Sequence, residues 1–201
     1  PGGGWYSEIL APYLKQDGQF YAAHFPEDSG VKYFDKHLNQ FKQKLAGDPA
    51  YKNVNLTAFN ANKHYAIAPA GTADAVLTFR NLHNWYMNNQ EAAVAQAFGS
   101  FYTALKPGGT LGIVDHQLPE HKDQQAELKS GYIKKSLVIS LAKQAGFTLA
   151  AESNVNHNPL DTAEYPNGVW SLLPVHRGQD PELLKVGESN RFTLKFIKPI
   201  E

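Results

Sequence analysis

The chain has 201 residues and carries 19 Lys and Arg against 19 Asp and Glu, so its formal net charge is zero. This balance argues against a protein that binds nucleic acid through a basic surface. The absence of cysteine excludes a disulfide scaffold, a zinc site with thiolate ligands and cysteine catalysis. No apolar run approaches the roughly 18 residues that a membrane-spanning helix needs.

The first half of the chain predicts two helices and three strands. Apolar side chains recur at helical spacing over residues 5–14 and 33–45, so we expect a helix in each stretch. Residues 19–25 are aromatic and β-prone, and residues 54–59 alternate between apolar and polar side chains, which predicts two strands. The uninterrupted apolar run over residues 74–79 is typical of a strand that is covered on both faces.

The second half continues the alternation of helices and strands. Helical spacing predicts a helix over residues 88–105 and a long one over residues 122–145. Gly131 is unusual inside the long helix, because glycine there costs about 1 kcal/mol relative to alanine. Strands are predicted over residues 110–114, 147–151 and 191–197.

This alternation predicts an α/β fold with a doubly wound, mostly parallel sheet and helices on both faces. Residues 153–190 interrupt it, because they are rich in Asn, Pro and Gly and too long for a simple connector. Trp170, Leu172 and Val175 favour an ordered segment over a disordered one. We therefore expect a single domain over residues 1–201, in which residues 153–190 form an inserted lid that sets substrate choice.

Polar loops follow the predicted strands, and ligands of an open α/β sheet bind beyond the carboxyl ends of its strands. Residues 1–6 open the first helix with three glycines, which let a ligand approach the backbone and the unpaired N–H groups of the helix. A tight turn explains the glycines equally well. Residues 80–85 and 115–117 place polar side chains directly after buried strands, where packing does not explain them.

The order of these motifs resembles the class I S-adenosylmethionine-dependent methyltransferases. Marks of this superfamily are the glycine loop, the LKPGG turn at residues 105–109 and the helix that ends in AGF at residues 145–147. PGGGWYSEILAPYL, LTFRNLHNW, LGIVDH, KSGYI and GVWSLLP together resemble a family of predicted bacterial methyltransferases of unknown substrate, over essentially the whole chain. The resemblance implies a Rossmann-like methyltransferase fold with an antiparallel last strand. Since a strand precedes the glycine loop in this family, we expect that the first strand is missing from this chain and that the true N-terminus lies upstream of Pro1.

The resemblance also implies S-adenosyl-L-methionine as the cofactor and a set of residues that bind it. Gly2 and Gly4 would pass under the methionine and ribose portions, the loop of residues 79–84 would line the methionine end, and Asp115 with His116 would face the methyl group. The residues predicted to bind the cofactor are Gly2, Gly3, Gly4, Tyr6, His24, Arg80, Asn81 and Asp115.

In this chain His24 holds the position of the acid that usually binds the ribose hydroxyls. Glu27 and Asp28 follow three and four residues later and are the alternatives. This departure from the family pattern favours a protein that binds a nucleoside-type ligand without turnover.

Methyl transfer to an oxygen or nitrogen requires a base that removes a proton. His83 and His116 are the predicted bases, because a neutral imidazole is available near pH 7; the alternative for each is a loop histidine that only hydrogen-bonds the backbone. Arg80 either pairs with the methionine carboxylate or lies free on the surface, and Asn81 and Asn84 either contact a ligand or cap the following helix. The predicted substrate contacts are Asn84, Tyr132, Asp161 and Trp170.

Three functions follow, in order of preference. The first is methyl transfer to an unidentified small-molecule acceptor, the second is non-catalytic binding of a nucleoside-type ligand, and the third is a nicotinamide-dependent oxidoreductase. LKPGG and the lack of a GxGxxG pattern argue against the third. The acids and histidines match no recognised metal-ligand spacing, so we expect no metal site, and we expect no nucleic-acid partner.

The compartment and the oligomeric state stay open. A methyl-donor enzyme belongs in the cytoplasm, where the donor is made, whereas an upstream signal that has been removed would make the protein periplasmic or exported.

Overall fold

The computed structural model describes residues 2–14, 18–27 and 29–200. Within these residues the chain forms four α-helices, seven strands and three short 3₁₀ helices, at residues Pro49–Tyr51, Gly168–Ser171 and Pro181–Lys185. None of the helices in the described part of the chain has the length and apolarity that a bilayer span requires. In chain order the helices and strands are α1 (Trp5–Leu14), β1 (Phe20–His24), α2 (Lys32–Gly47), β2 (Val54–Ala58), β3 (Ala73–Phe79), α3 (Leu82–Ala104), β4 (Leu105–Leu118), β5 (Ile133–Lys134), α4 (Lys135–Gln144), β6 (Thr148–Ser153) and β7 (Arg191–Ile197).

The strands are arranged in two sheets. β1 pairs in parallel with β2, and the larger sheet has the order β3-β4-β7-β6, with β5 attached to the end of β4. β3 and β4 are parallel, whereas β7 runs antiparallel to both β4 and β6. The predicted α/β class with an antiparallel last strand is therefore confirmed. No pairing joins β1 to β3 among the described residues, so the two sheets are separate there.

The main core lies between the larger sheet and helices α3 and α4. Alternate residues of β4 point toward these helices, and so Leu111, Ile113 and Asp115 are buried in succession. The helices contribute an equally buried apolar surface; its most enclosed side chains include Val94, Ala97, Phe98, Val138 and Ala142.

Helix α1 lies on the opposite face of this sheet. Val76 of β3 packs against the main core, and Phe79, three residues further along the strand, points the other way. The ring of Tyr6 in α1 stacks on Phe79 with the ring centroids 3.7 Å apart. Helices therefore cover both faces, as a doubly wound sheet requires.

The predicted helix over residues 122–145 is wrong in its first half. Residues 119–132 form turns, β5 follows, and the helix α4 is limited to Lys135–Gln144. Gly131 has φ +77°, which no α-helix accommodates. The side chain of Gln124 stabilises the turns, because it donates to the carbonyl oxygen of Tyr132 at 3.2 Å and accepts from the amide of Lys134 at 2.7 Å.

Two other boundaries differ from the prediction and bear on the site. α3 begins at Leu82 rather than at residue 88, with a kink at Asn89 and Gln90. β4 continues to Leu118, because β7 pairs with it as far as His116. Asp115 and His116 therefore lie on a strand and not in a loop, which gives their side chains fixed and opposite directions.

The predicted lid packs against the carboxyl end of β4. The amide of Gln117 donates to the carbonyl oxygen of Asn190 at 2.9 Å. The amide of Val169 donates to the carbonyl oxygen of Ser130 at 2.8 Å. Gly168 has φ +56°, and a Cβ placed on it would overlap the backbone of Ser130. The lid and the turn before β5 approach so closely here that only glycine fits.

We expect Gly168→Ala to loosen the lid and to lower the free energy of unfolding by at least about 2 kcal/mol, because a side chain at this position meets backbone that has no room to move. Gly187→Ala is the matched control. Gly187 also has a positive φ, +79°, but a Cβ there meets nothing within 4 Å. The control should cost only about 1 kcal/mol, the backbone cost of the left-handed conformation. Equal losses in urea denaturation would contradict the close approach.

Candidate functional site

The carboxyl ends of β3 and β4 meet because these strands are parallel neighbours. At the end of β3 the amide of Arg80 donates to the carbonyl oxygen of Val114 at 2.8 Å. Arg80 itself has φ +55°, a left-handed conformation that side chains other than glycine rarely adopt. This sharp turn starts α3 at Leu82 and places His83, in the first turn of the helix, opposite Asp115 of β4.

Asp115 is fully buried and accepts four hydrogen bonds from within the chain. One carboxylate oxygen accepts from the amides of Leu82 at 2.7 Å and His83 at 3.3 Å. The other accepts from the amide of His116 at 2.8 Å and lies 2.6 Å from Nδ1 of His83. Burial by itself would raise the pKa of this carboxyl, but His83, His116 and the hydrogen bonds hold the pKa below its ordinary value. Asp115 is therefore a carboxylate that caps α3 and orients His83.

The carboxylate determines the tautomer of His83. An ionised carboxylate only accepts hydrogen bonds, so Nδ1 of His83 carries the proton. In the neutral ring Nε2 is then the unprotonated nitrogen, and no described residue donates a hydrogen bond to it. His83 is thus arranged as a proton acceptor, with its Nε2 free and a negative charge held behind the ring.

His116 lies beside His83, with their ring centroids 4.9 Å apart. Its Nδ1 is 2.5 Å from the hydroxyl oxygen of Ser189, the second residue before β7. Burial lowers the pKa of His116 to about 3, and the positive charges of Arg80 and Arg191 act in the same direction. His116 is therefore neutral at physiological pH and is held by a hydroxyl rather than by a carboxylate.

His83, Asp115 and His116 also offer three ligand atoms within 4.8 Å of one another, a group that could hold a metal ion. Both oxygens of Asp115 already accept two hydrogen bonds each, and a metal on this carboxylate would displace the N–H of His83. The observed bonds therefore favour a hydrogen-bonded pair of His83 and Asp115. The expected absence of a metal site stays a prediction.

The lid supplies one wall of the site. The hydroxyl of the buried Tyr132 donates to Asp161, 3.1 Å from each carboxylate oxygen, and Asp161 also accepts from the amide of Asn190 at 2.7 Å. Burial and the neighbouring Asp161 raise the pKa of Tyr132, so its hydroxyl stays protonated and donates. The ring of Trp170 lies 6.3 Å from that of His83, centroid to centroid. Trp170 and Tyr132 therefore lie beside the histidines, and Asp161 is joined to them through the hydroxyl of Tyr132.

The fourth predicted substrate residue, Asn84, is exposed, and its side chain donates to the carbonyl oxygen of Arg80 at 3.4 Å. Asn81 precedes α3 but makes no capping bond with its side chain, because Asp115 caps the helix instead. The guanidinium of Arg80 forms no ion pair within the described residues and lies close enough to His116 to lower its pKa.

The glycine loop lies at the end of β1. Gly2 and Gly4 have φ +51° and +81°, and a Cβ on Gly4 would lie 2.7 Å from the ring of Phe41. His24 joins this loop to β1: its Nε2 donates to the carbonyl oxygen of Gly2 at 2.9 Å, and its Nδ1 accepts from the amide of Phe25 at 2.8 Å. In this arrangement neither nitrogen of His24 is free for a ribose hydroxyl, and burial lowers its pKa to about 4.

Glu27 and Asp28 are the alternative acids for the ribose hydroxyls. Glu27 forms an exposed ion pair with Lys42. Asp28 lies outside the described residues, as does Pro1. Tyr6, predicted to touch the cofactor, has one face of its ring on Phe79.

Sequence reasoning missed Ser189 and Arg191. The signal that could have found them is the direction of β7, because the start of an antiparallel strand lies beside the end of its partner, β4. Residues just before β7 therefore belong to the same edge of the sheet as His116.

Solved structures with this architecture are numerous, and three of them at low sequence identity illustrate the likeness. An S-adenosylmethionine-dependent methyltransferase from Aquifex aeolicus is 16% identical, over 98% of this chain and 78% of that chain, with a TM-score of 0.59. One from Methanosarcina mazei is 10% identical, over 100% of this chain and 90% of that chain, with a TM-score of 0.63. The cyclase SpnF is 13% identical, over 100% of this chain and 72% of that chain, with a TM-score of 0.59.

No protein-family model matches the sequence, and no curated protein sequence matches it significantly. The structural likeness shows that this chain has the Rossmann-like fold of the S-adenosylmethionine-dependent methyltransferases. Since a cyclase shares the fold, the fold by itself does not determine the reaction.

We expect the stability of the fold to fall as the pH drops below about 6.5. His24 and His116 have pKa values of about 4 and about 3 in the folded chain, against 6.5 in the unfolded chain. The unfolded chain therefore binds more protons in this interval, and each histidine lowers the free energy of unfolding by up to about 1.4 kcal/mol per pH unit. This contribution is complete above pH 6.5 and is lost as the pH falls toward 4 for His24 and toward 3 for His116.

Urea denaturation at pH 7, 6 and 5 measures this slope. His24→Gln should flatten it, because glutamine keeps a donor for Gly2 but does not titrate. His121→Gln, at an exposed position, is the control. Identical slopes for the two variants would show that His24 is not held neutral by burial.

Proposed function

We propose that this protein is an S-adenosylmethionine-dependent methyltransferase that acts on an oxygen or nitrogen of a small-molecule acceptor, related to the predicted bacterial methyltransferases whose motifs it resembles. The observation that carries the proposal is the pair formed by His83 and Asp115 at the carboxyl ends of β3 and β4. An oriented base at this edge of a methyltransferase-type sheet is suited to remove a proton from the acceptor.

Backbone and charge at the site fit the cofactor. A Cβ placed on Gly2 or Gly3 meets nothing within 4 Å, so the backbone of the loop borders open space that a ligand can enter. The loop leads directly into α1, whose first N–H groups lack partners within the helix. Arg80 would hold the methionine carboxylate through its guanidinium fork, and the stacked rings of Tyr6 and Phe79 would form an apolar wall.

When bound, the cofactor supplies an electrophilic methyl group on a sulfonium ion. Nε2 of His83 would take the proton that the acceptor oxygen or nitrogen loses when it is methylated. The imidazolium that forms is stabilised by Asp115, 2.6 Å from Nδ1. His116 favours this step by staying neutral, since a second positive charge 4.9 Å away would oppose it.

Calorimetric titration of the full-length protein tests the cofactor. We expect S-adenosylmethionine and S-adenosylhomocysteine to bind at one site and NAD not to bind. Binding of NAD, or of none of the three, would overturn the proposal. Donor binding without turnover on any acceptor would favour the non-catalytic ligand-binding protein.

We expect His83→Gln to lower kcat by about 10²- to 10⁴-fold, because it removes the proton acceptor. Affinity for the donor should change by less than about threefold, since the residue acts on the acceptor. The measurement is the release of S-adenosylhomocysteine with a panel of phenols and amines, together with donor calorimetry.

Asp115→Asn and His116→Asn separate the roles of the neighbours. Asp115→Asn should also lower kcat, since the imidazolium loses its counter-charge, whereas His116→Asn should leave more activity than His83→Gln. The exposed His121→Gln is the control for loss of a histidine. Full activity of His83→Gln would assign the base to another residue.

A further inference from the structure

A cavity of about 300 Å³ lies between the lid and the turn that precedes β5. Its walls include Lys129, Tyr165, Asn167, Trp170 and Arg177. This volume is at the lower end of the range for small-molecule sites, so the occupant it fits is a compact molecule of one or two rings.

Beside the cavity, the two glycines of the KSGYI and GVWSLLP motifs let the lid and the turn pack closely against each other. A Cβ on Gly131 would lie 2.5 Å from Val169 and 3.0 Å from the indole of Trp170, and a Cβ on Gly168 would overlap the backbone of Ser130. Trp170 also packs against the buried cluster that contains Tyr132 and Val169. The aromatic wall is therefore fixed in place by its surroundings.

The charges on the walls are predominantly positive and unpaired. Lys129 and Arg177 form no ion pair within the part of the chain that the structure describes. The one acid on the wall, Glu127, lies 3.7 Å from Lys122, which is shared with Glu164 at 3.5 Å. The guanidinium carbon of Arg177 lies over the Trp170 ring, 5.8 Å from its centroid, so the cation adjoins the aromatic surface.

The geometry points to this cavity as the binding site for the methyl acceptor, and to an aromatic carboxylate as the class of acceptor. The ring stacks on Trp170 and Tyr165, and the carboxylate lies between Lys129 and Arg177. Trp170 links the cavity to the base, because it lines the cavity while its ring lies 6.3 Å from that of His83. The assignment rests on the proposed function, since it takes the occupant to be the acceptor.

Calorimetry without methyl donor tests the chemical class directly. The probes are 2-naphthoate, its neutral analogue 2-naphthamide, and cyclohexanecarboxylate, which keeps the charge but lacks the aromatic ring. We expect 2-naphthoate to bind at least about tenfold more tightly than either of the others. Equal affinity for the acid and the amide, or for the aromatic and saturated acids, would overturn the assignment.

Single substitutions locate the site. Lys129→Gln and Arg177→Gln should each lower the affinity for 2-naphthoate by roughly three- to tenfold, because each removes one partly exposed charge. The affinity for 2-naphthamide should stay unchanged. Lys195→Gln removes the same charge from an exposed position on β7 and should change the affinity for neither ligand. An equal loss in Lys195→Gln would show that general electrostatic attraction, not this cavity, binds the anion. The urea midpoint of each variant confirms that it is folded.

Turnover connects the cavity to the reaction. With 6-hydroxy-2-naphthoate as acceptor, Arg177→Gln should raise KM with little change in kcat, whereas His83→Gln should lower kcat. If the donor binds but 2-naphthoate does not, the cavity assignment fails and the proposed function stands. If 2-naphthoate binds as expected but the donor does not, the methyltransferase proposal fails, and with it the role of the occupant as acceptor.

Discussion

The buried carboxylate of Asp115 is the interaction on which the rest of the site depends. A buried charge costs several kcal/mol unless it is paired and hydrogen-bonded, and Asp115 meets that condition with four bonds inside the chain. These bonds join the end of β4 to the first turn of α3. They also hold the chain reversal at Arg80, whose left-handed backbone costs roughly 1–3 kcal/mol elsewhere. The hydrogen bonds of Asp115 therefore both stabilise this part of the fold and orient His83.

α1 and β7 have the predicted ends. The buried residues of β7 alternate as a strand pattern predicts, whereas Ile9 and Tyr13 of the apolar pattern of α1 are exposed. The failure at residues 122–145 has a long-range origin. The apolar residues of that stretch do recur at helical spacing, but Gly131 is needed for contact with Val169, almost forty residues away. Local periodicity contains no information about such a contact.

The site shows the same division between local and long-range information. The rule that ligands bind at the carboxyl ends of strands placed Arg80, His83, Asp115 and His116 in one region, and the structure brings them together. Their individual partners depend on register. Asp115 meets His83 because α3 starts six residues earlier than its apolar stripe indicates, and Ser189 meets His116 because β7 is antiparallel to β4. Neither pairing is visible in the spacing of the residues along the chain.

The two adjacent histidines differ because their second partners differ. Their rings lie 4.9 Å apart, so two positive charges there would repel each other in a region with little water. Asp115 lies 2.6 Å from Nδ1 of His83, whereas Nδ1 of His116 has the hydroxyl of Ser189 and no carboxylate of its own. A positive charge that develops during proton transfer is therefore stabilised on His83. His116, with a pKa of about 3, remains the neutral neighbour that makes this possible, so the environment and not the residue type assigns the roles.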